Sequence, residues 1–593
     1  MSQLRWTLRL DGADLPDAAL IGGKAWSIAR MRALGLPVPP AFVITTRACA
    51  AFLSQGDWPD GLAEEIDAGM AWLEKATGRT FGRGPQPLLV SVRSGAPVSM
   101  PGMMDTILNM GICTETEIAL AEEIGDPAFA HDVHRRFFDL YADIVLKCAG
   151  SEFAPEGDAE SWAAILKSKS REGIPATPRE RLFTSVSAVF HSWNGRRAKR
   201  YRKHHGIPED LGTAVTVQAM VFGNLDPHSG TGVLFSRNPI TGERVPFGEY
   251  LPRAQGEDVV SGKFTPQPLS TMRDIVPDAY DELMAASETL EQANGDVQDI
   301  EFTVQKGTLF LLQSRAAKRA PAAAVRIATE MVEEGTISPQ VALGRVTPDQ
   351  VRILLAPRIR PGAAEQATVL CAGEGASPGI GAGVVVASSD EAESRAAQGE
   401  DVILARATTS PDDLHGMLAA RAVITEKGGS TSHAAVVSRA LGVACVVGCG
   451  EGSVTTLAGQ TVTVDGTTGR IYAGEIAVEA PDENAETALS RLKEWALDAC
   501  PLPVRAPEDA GAARVVDLNA IEGGENPANL SRLLVGAEAA TGGALASEEG
   551  MAAAIVAGVK FVVGRPALPL LIAGARAGLA HEDRETIAVS AKA

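Results

Sequence analysis

The feature that most constrains the fold is a strand, a glycine-rich loop and a helix in immediate succession at residues 421–442. The run RAVIT is a short apolar strand, EKGGSTS is rich in glycines and hydroxyls, and HAAVVSRAL has the apolar spacing of a helix ending at Gly442. A strand followed at once by a helix is typical of α/β units. We therefore expect an α/β domain here, with His433 in the first turn of the helix.

The loop before His433 has the composition of an anion-binding helix start. The first turn of a helix exposes unpaired N–H groups and the positive end of the helix dipole, and both favour an anion. Gly428 and Gly429 allow close backbone approach, and Thr431 or Ser432 is a natural cap or a candidate regulatory position. Histidine is largely neutral near pH 7, so it can attack phosphorus as a nitrogen nucleophile. A histidine at a helix start is more often structural, and the loop is what favours phosphoryl transfer.

Length, charge and cysteine content exclude several classes of protein. A chain of 593 residues predicts roughly three to five domains. The formal net charge of −20 repels phosphates and lipid headgroups, so we expect no nucleic-acid partner and no membrane partner. The amino-terminal residues lack a signal-peptide pattern, and no charge-free apolar run reaches the roughly 20 residues that span a bilayer. The scattered cysteines favour reduced thiols in a cytoplasmic protein, and Cys445 and Cys449 alone are close enough to suggest a pair or a metal site.

Changes in pattern divide the sequence into four parts. Residues 1–320 alternate glycine-rich turns with β-rich runs and helices, residues 321–369 form a helical linker, and residues 370–480 form a compact α/β domain. Residues 481–593 begin with a linker helix and continue as a small α/β domain. A (β/α)₈ barrel takes about 250 residues, so we expect no full barrel there. The predicted fold class is α/β and α+β, in several domains.

Two carboxylates lie on one face of the predicted strand DIEFTV. Strand alternation places Asp299 and Glu301 about 7 Å apart along the strand, a spacing that suits Mg²⁺ bound to phosphate oxygens. The next strand, TLFLLQSR, brings Gln313 and Arg315 onto one face. We expect a three-residue hairpin loop with Gly307 in the left-handed region, because a two-residue turn would send the two pairs to opposite faces. The alternative is the solvated face of an edge hairpin.

Taken together, these motifs resemble the phosphoenolpyruvate-utilising enzymes, and within them the pyruvate phosphate dikinase family. The loop around His433 follows the family pattern GGxTSHAAVVxRxxG, and similar agreement continues in order through residues 1–475. Agreeing segments include IGGKAWSIARMRALGLPVPP, LLVSVRSGAPVSMPGMMDTILNMG, SGTGVLFSRNPITGE, GEYLPRAQGEDVVSG and VDGTTGRIY. The resemblance implies an ATP-grasp nucleotide-binding region followed by a swivelling phosphohistidine domain.

The resemblance also implies a role for individual side chains. The segment GTGV, residues 230–233, resembles the family's glycine-rich lid over the nucleotide phosphates, although on its own it would be a simple hairpin turn. The implied residues are Lys24, Arg93, Gly230, Thr231, Gly232, Gln313 and Arg315 for nucleotide and phosphate, Asp299 and Glu301 for the metal, and His433 for catalysis.

The reaction implied by the resemblance is a half-reaction on His433. ATP would pyrophosphorylate the imidazole, and orthophosphate would then take the outer phosphoryl group, leaving phospho-His433, AMP and pyrophosphate, with Mg²⁺ as cofactor. Because the last part is short, we expect an unknown small-molecule acceptor held by a separate protein subunit. We expect hinges near residues 320–370 and 475–500. Two alternatives stay open: a dikinase component for pyruvate and phosphoenolpyruvate with a separate barrel partner, and a non-catalytic nucleotide-binding regulatory protein.

Overall fold

The structure is a computed structural model that describes residues 5–590 except 99, 101–105, 149–152, 171–172, 206, 261–263, 356–357, 361, 442, 480–482, 485 and 512. The motifs MPGMMDTILN and QGEDVVSG lie partly outside the described residues, and so does Gly442, the predicted end of a helix. Among the described residues, no helix combines the length and apolar character needed to cross a membrane.

The described part of residues 5–320 contains two five-stranded antiparallel sheets with helices around them. Its strands are β1 (Thr7–Arg9), β2 (Ala41–Ile44), β3 (Thr80–Phe81), β4 (Pro87–Leu88), β5 (Val90–Gly95), β6 (Thr106–Met110), β7 (Ala214–Ala219), β8 (Gly230–Phe235), β9 (Phe247–Pro252), β10 (Gln267–Pro268), β11 (Gln298–Gln305) and β12 (Thr308–Ala316). Its helices are α1 (Ala18–Ala33), α2 (Thr46–Gln55), α3 (Leu62–Thr77), α4 (Thr114–Ile124), α5 (Pro127–Ile144), α6 (Ala159–Lys169), α7 (Pro178–Ser192), α8 (Arg196–His205), α9 (Gly256–Val260), α10 (Ser270–Ile275) and α11 (Pro277–Asn294).

Helix α1 joins the two sheets. The first sheet has the order β1-β2-β7-β5-β6 and the second the order β10-β9-β8-β11-β12. The backbone N–H of Gly23 donates to the carbonyl of Ala96 at 3.1 Å, just after β5. The hydroxyl of Ser27 accepts from the backbone N–H of Ser314 on β12 at 2.8 Å. Side chains placed at the ends of β5 and along β12 are therefore brought towards the same helix.

Residues 321–479 contain the predicted linker helices and an eight-stranded sheet. The elements are α12 (Pro321–Glu333), α13 (Pro339–Arg345), α14 (Pro348–Leu354), β13 (Arg358–Ile359), α15 (Ala363–Gln366), β14 (Val369–Ala372), β15 (Glu374–Ser377), β16 (Ile380–Val386), α16 (Ser389–Ala397), β17 (Val402–Arg406), α17 (Leu414–Ala419), β18 (Ala422–Thr425), α18 (His433–Leu441), β19 (Ala444–Val447), β20 (Thr461–Asp465), β21 (Arg470–Ala473) and β22 (Val478–Glu479).

The eight-stranded sheet closes on itself. Its order is β14-β21-β20-β16-β17-β18-β19-β15, so the two edge strands are also consecutive in the chain, with only Gly373 between them. A Cβ at Gly373 would lie 2.4 Å from the carbonyl oxygen of Val447, so a residue without a side chain is needed at the point of closure. Strands β16 to β19 run parallel and are linked through α16, α17 and α18.

The last part of the chain contains a four-stranded parallel sheet of order β23-β26-β25-β24. Its elements are α19 (Thr487–Ala499), β23 (Val504–Arg505), β24 (Val515–Asp517), α20 (Pro527–Leu533), β25 (Ala539–Thr541), α21 (Glu548–Val556), β26 (Phe561–Val563) and α22 (Leu568–Ser590). Helices α19 and α22 share one apolar core with α12, α13 and α14. The mixed α/β, multidomain class predicted from the sequence is confirmed, whereas the domain boundaries stay predictions.

A buried arginine connects the linker helices to the first part of the chain. Arg237, which follows β8 and is 1% exposed, bonds to Glu291 on α11 and to Glu334 at the end of α12. Beyond these helices, the two connections to the eight-stranded sheet pair with each other, because β13 and β22 form a two-stranded ribbon. We place the predicted swivel at this ribbon rather than within α12 to α14, and the swivel itself stays a prediction.

Candidate active site

The hairpin between β11 and β12 has a two-residue turn. Lys306 and Gly307 form the turn, both with positive φ, at 50° and 77°. The three-residue loop expected from the sequence is therefore wrong, and an unbroken ladder from this turn would send the predicted pairs of site residues to opposite faces.

A β-bulge between the turn and the site residues shifts the pairing of β11 with β12. The pairing shifts between Glu301 and Phe302, and beyond the shift Glu301 lies opposite Gln313 and Asp299 lies opposite Arg315. One extra residue in β12 thus changes the face to which the following side chains point, as one extra residue in the turn would. All four side chains share one face of the second sheet, as predicted, although by a different route.

This face is not a solvated one. Asp299 is 4% exposed and Gln313 is 7% exposed. The Nε of Arg315 donates to Oδ2 of Asp299 at 2.8 Å. Strand β11 lies inside the sheet, between β8 and β12, so the alternative of a solvated edge face does not hold for Asp299, whereas the side chain of Glu301 is 30% exposed.

Arg93 on the first sheet and Lys24 on α1 both lie near Glu301. The Nη2 of Arg93, on β5, donates to Oε2 of Glu301 at 3.1 Å. Lys24 lies on α1 directly after two glycines, and Gly22 has a φ of 76°. A Cβ at Gly22 would lie 1.9 Å from the carbonyl oxygen of Gly95, so this glycine lets α1 dock against the end of β5.

The cations and carboxylates perturb one another strongly. Burial and the nearby guanidinium of Arg93 lower the pKa of Lys24 to about 7. Burial alone would raise the pKa of Glu301, but the positive charges of Arg93, Arg315 and Lys24 outweigh it and hold that pKa below its ordinary value. The site therefore carries an ionised carboxylate beside an amine that loses its proton easily, as is common where charged substrates bind.

Two oxygen atoms in the site lack a protein partner and fit a hard cation. Oδ1 of Asp299 and Oε1 of Gln313 are buried without a hydrogen-bond partner. Within the described residues no cluster of three or more His, Cys, Asp or Glu side chains could hold a metal ion. A pair of oxygen ligands is nevertheless what Mg²⁺ needs when substrate phosphates and water complete its shell.

The glycine segment 230–233 lies in a strand and not in a lid. It belongs to β8, a buried strand in the middle of the second sheet. A Cβ at Gly232 would lie 2.5 Å from the ring of Phe302, and one at Gly230 would lie 2.1 Å from the hydroxyl of Tyr250. The expectation of a lid, like the alternative of a hairpin turn, is therefore wrong, because these glycines make room for packed rings. Thr231 points to the other face, which also carries Glu301.

His433 begins α18, as predicted, and presents one ring nitrogen. Its Nδ1 lies 3.2 Å from the hydroxyl of Thr409, whereas its Nε2 is buried without a hydrogen-bond partner. Burial lowers the pKa of His433, and the charge of Asp413 offsets this only in part. The imidazole is therefore neutral near pH 7, and a proton on Nδ1 directed at Thr409 leaves the lone pair on Nε2.

The hydroxyls before His433 do not cap the helix. The hydroxyl of Thr431 donates to Glu249, and the hydroxyl of Ser432 has no partner. The capping role expected for these two residues is therefore wrong. The short polar side chains instead allow the loop to contact Glu249, a residue of the nucleotide-binding region.

Glu249 holds the loop above the face that carries the metal-site residues. It lies on β9 opposite Val233, which in turn lies opposite Glu301, so the three residues form a row across the sheet. Two strand spacings separate Glu249 from Glu301, or about 10 Å. Farther out, Arg200 on α8 pairs with Glu393 on α16 at 3.1 Å. The histidine loop is thus docked on the nucleotide-binding region in this structure.

A comparison with known sequences decides the family. The matched stretches 18–77, 56–275 and 269–336 together cover more than half of the chain and fit the sequence profile described as "Pyruvate phosphate dikinase, AMP/ATP-binding domain". The chain belongs to the pyruvate phosphate dikinase family. Residues 398–469 also match the profile described as "PEP-utilising enzyme, mobile domain", which includes His433.

Curated members of the dikinase family are similar along most of the chain. "Pyruvate, phosphate dikinase" of Clostridium symbiosum is 40% identical over 568 residues, covering 89% of this chain and 64% of the relative. That of Rhizobium meliloti (strain 1021) is 41% identical over 550 residues, covering 84% and 61%. The chloroplastic enzyme 1 of Zea mays is 41% identical over 534 residues, covering 84% and 56%. The chain thus spans about three fifths of the length of these relatives, and 89% coverage extends the similarity beyond residue 475, where the motifs ended.

Three contributors to this dikinase-family site were missed from the sequence. They are Thr409 beside the imidazole, Glu249 beneath the loop, and Arg439, whose guanidinium donates to the carbonyls of Ser430 at 2.6 Å and Ala376 at 2.8 Å. Glu249 lies in the quoted segment GEYLPRAQGEDVVSG, but nothing in that strand distinguishes it from a solvated acid. The contacts of Thr409 and Glu249 join residues that are distant in the chain, so local pattern could not find them. Arg439 belongs to the loop pattern itself, and its bond to Ser430 spans only nine residues.

The predicted cysteine pair is also corrected. All seven cysteines are free thiols, and Cys445 is fully buried in the apolar core of the dikinase-family mobile domain. The side chain of Cys449 packs with that of Cys371 against a different apolar core from the one that contains Cys445. The sequence spacing of Cys445 and Cys449 pointed to the wrong partner.

Proposed function

We propose that the protein is a phosphotransferase that uses ATP and orthophosphate to phosphorylate His433. The observation that carries this proposal is the docking of the histidine loop by Glu249 on the sheet face that holds Asp299 and Glu301. A nucleophile and a polyphosphate site must meet for direct transfer, and this contact supports their meeting.

The cationic groups of the site would bind and orient the triphosphate. Lys24, Arg93 and Arg315 surround Glu301, and positioning with charge neutralisation accounts for most of the rate in phosphoryl transfer. Mg²⁺ held by Asp299 and Gln313 would neutralise charge on the phosphate oxygens. Gln313 here takes the place of Glu301, the second metal ligand expected from the sequence, because Glu301 accepts from Arg93 while Oε1 of Gln313 has no partner. Glu301, which is paired with Arg93, would keep that guanidinium aligned towards the substrate.

His433 would attack through Nε2. With the Nδ1 proton donated to Thr409, the lone pair lies on Nε2, and burial keeps the ring neutral until it attacks phosphorus. The bond from Nε2 to the β-phosphorus forms as the bond to the α-phosphate oxygen breaks, releasing AMP. Orthophosphate then takes the outer phosphoryl group and leaves as pyrophosphate.

The proposal predicts that labelling of the protein by ATP depends on His433. Incubation with β-³²P ATP, Mg²⁺ and phosphate should give an acid-labile, base-stable label that His433→Ala abolishes, while ATP binding stays nearly unchanged. A label that persists in the variant would show that His433 is not the carrier.

For the second half of the reaction, we propose that pyruvate is the acceptor and that it is held outside residues 1–593. Pyruvate is in the name of the curated relatives, and the described strands after residue 500 number four, half of the eight in a (β/α)₈ barrel. The purified 593-residue chain should then form phospho-His433 but no phosphoenolpyruvate from pyruvate, ATP and phosphate. Robust phosphoenolpyruvate production by this chain alone would contradict this placement of the acceptor.

A further inference from the structure

Two thiols from distant parts of the chain meet where the eight-stranded sheet closes. Cys371 lies on β14, and Cys449 follows β19, next to the opposite edge of the sheet. Their side chains lie next to each other, because both pack against the same apolar core. A Cβ at Gly373, two residues from Cys371, would lie 2.9 Å from Sγ of Cys449, so the missing side chain leaves room for the contact.

The thiols of Cys371 and Cys449 are partly exposed to solvent. Both side chains are half-buried, whereas Cys445 nearby is fully buried. The hydrogen bond from Cys449 lowers the pKa of Cys371, and the same contact together with burial raises the pKa of Cys449. The first thiol is thus the better nucleophile, and the second stands beside it.

We propose that Cys371 and Cys449 form a redox-responsive disulfide pair at the closure of the phosphohistidine domain. The oxidant would be a low-molecular-weight disulfide. The Cys371 thiolate attacks one sulfur of that disulfide and displaces one thiolate, which takes up the proton that Cys371 lost. The Cys449 sulfur then attacks Cys371 in the mixed disulfide, displaces the second small thiol and passes its proton to it, so that two electrons move from the pair to the oxidant.

The pair adjoins the loop that carries His433. The backbone N–H of Cys449 donates to the carbonyl of Thr425, the last residue before that loop, at 3.0 Å. The next N–H, of Gly450, donates to the carbonyl of Glu426 at 2.9 Å. A disulfide would therefore tie β14 to the segment that supports the start of the histidine loop. This role is separate from phosphoryl transfer and does not depend on it.

Peptide mapping of the full chain after incubation with oxidised glutathione tests the proposal. We expect the intact mass to fall by two hydrogens and a proteolytic digest to contain one linked pair of peptides carrying Cys371 and Cys449. Dithiothreitol should reverse both changes. A chain in which Cys371 stays free, or accumulates as the mixed disulfide with glutathione, would overturn the proposal.

Cysteine variants show which thiol attacks the small disulfide and which one then displaces the second small thiol. Cys449→Ser should trap glutathione on Cys371, and Cys371→Ser should leave Cys449 largely unmodified. Cys113→Ser, which removes a half-buried thiol far from the pair, is the matched control and should form the linked peptides like the unmodified chain. Glutathione on Cys449 in Cys371→Ser at the level found on Cys371 in Cys449→Ser would contradict the assignment of Cys371 as the attacking thiol.

Discussion

Arg315 and Asp299 face each other across β11 and β12, with the Nε of the arginine 2.8 Å from Oδ2 of the aspartate. This contact exists because the bulge in β12 compensates for the two-residue turn. Asp299 is almost fully buried and Arg315 about one third exposed, so the ion pair forms the inner wall of the proposed nucleotide site.

Replacement of this arginine should weaken ATP binding. In Arg315→Met, the buried carboxylate of Asp299 loses its charged partner, and the triphosphate loses a donor. A hydrogen bond to a charged group contributes about 1.5–3 kcal/mol, so we expect a roughly ten- to hundredfold weaker affinity by calorimetry. Arg421→Met removes an exposed ion pair in the mobile domain and serves as control. Unchanged ATP affinity in Arg315→Met would contradict the placement of the site.

ATP binding should take up a proton at Lys24. Because the pKa of Lys24 is lowered to about 7, the amine is mostly neutral at pH 8. A bound polyphosphate stabilises the ammonium form and raises that pKa, so binding at pH 8 should consume nearly one proton. Calorimetry in buffers of different ionisation enthalpy measures this number directly. Lys24→Met should abolish the uptake, and an equal uptake in that variant would assign it to another group.

Removal of the hydroxyl beside His433 should slow phosphorylation without affecting ATP binding. Thr409→Val keeps the shape but loses the contact with Nδ1, and a hydrogen bond of about 1 kcal/mol corresponds to a roughly fivefold slower transfer. Single-turnover labelling with β-³²P ATP measures the rate. Thr409→Ser restores the hydroxyl and should recover most of it. Equal rates for the valine and serine variants would show that Thr409 does not orient the imidazole.

The pH dependence of labelling should reflect a buried histidine. Burial lowers the pKa of His433 below its ordinary value of 6.5, so the neutral nucleophile persists at lower pH than a free imidazole would. At saturating ATP, the labelling rate should fall as the pH decreases, with a midpoint below pH 6.5. A decline centred above pH 6.5 would mean that the ring is more easily protonated than its burial implies.

Some of this site could be predicted from the sequence because it follows local periodicity. Strand alternation placed Asp299 with Glu301 and Gln313 with Arg315, and helix spacing placed His433 at the start of α18. The turn could not be predicted in the same way, since a bulge and a turn residue have equal effects on register. The packing of Tyr250 and Phe302 around the glycines of β8 depends on strands that are distant in the chain.

Contacts between separate regions could not be predicted from local sequence patterns. Thr431 resembled a helix cap, because a hydroxyl before a helix usually bonds to the helix start. Here the hydroxyl of Thr431 donates instead to the carboxylate of Glu249 on β9, because the histidine loop is docked against that residue. Cys449 likewise contacts Cys371 rather than its neighbour in sequence. Only the closed sheet and the docked loop bring such partners together.

The fate of the two outer phosphates of ATP tests the central claim most directly. The protein is incubated in parallel with β-³²P and γ-³²P ATP, with and without orthophosphate, and the label on His433 is counted. We predict that both labels stay on the protein without phosphate, whereas with phosphate the β label stays and the γ label leaves as pyrophosphate. Retention of the γ label alone, or of neither label under any condition, would contradict phosphorylation of His433 by this route.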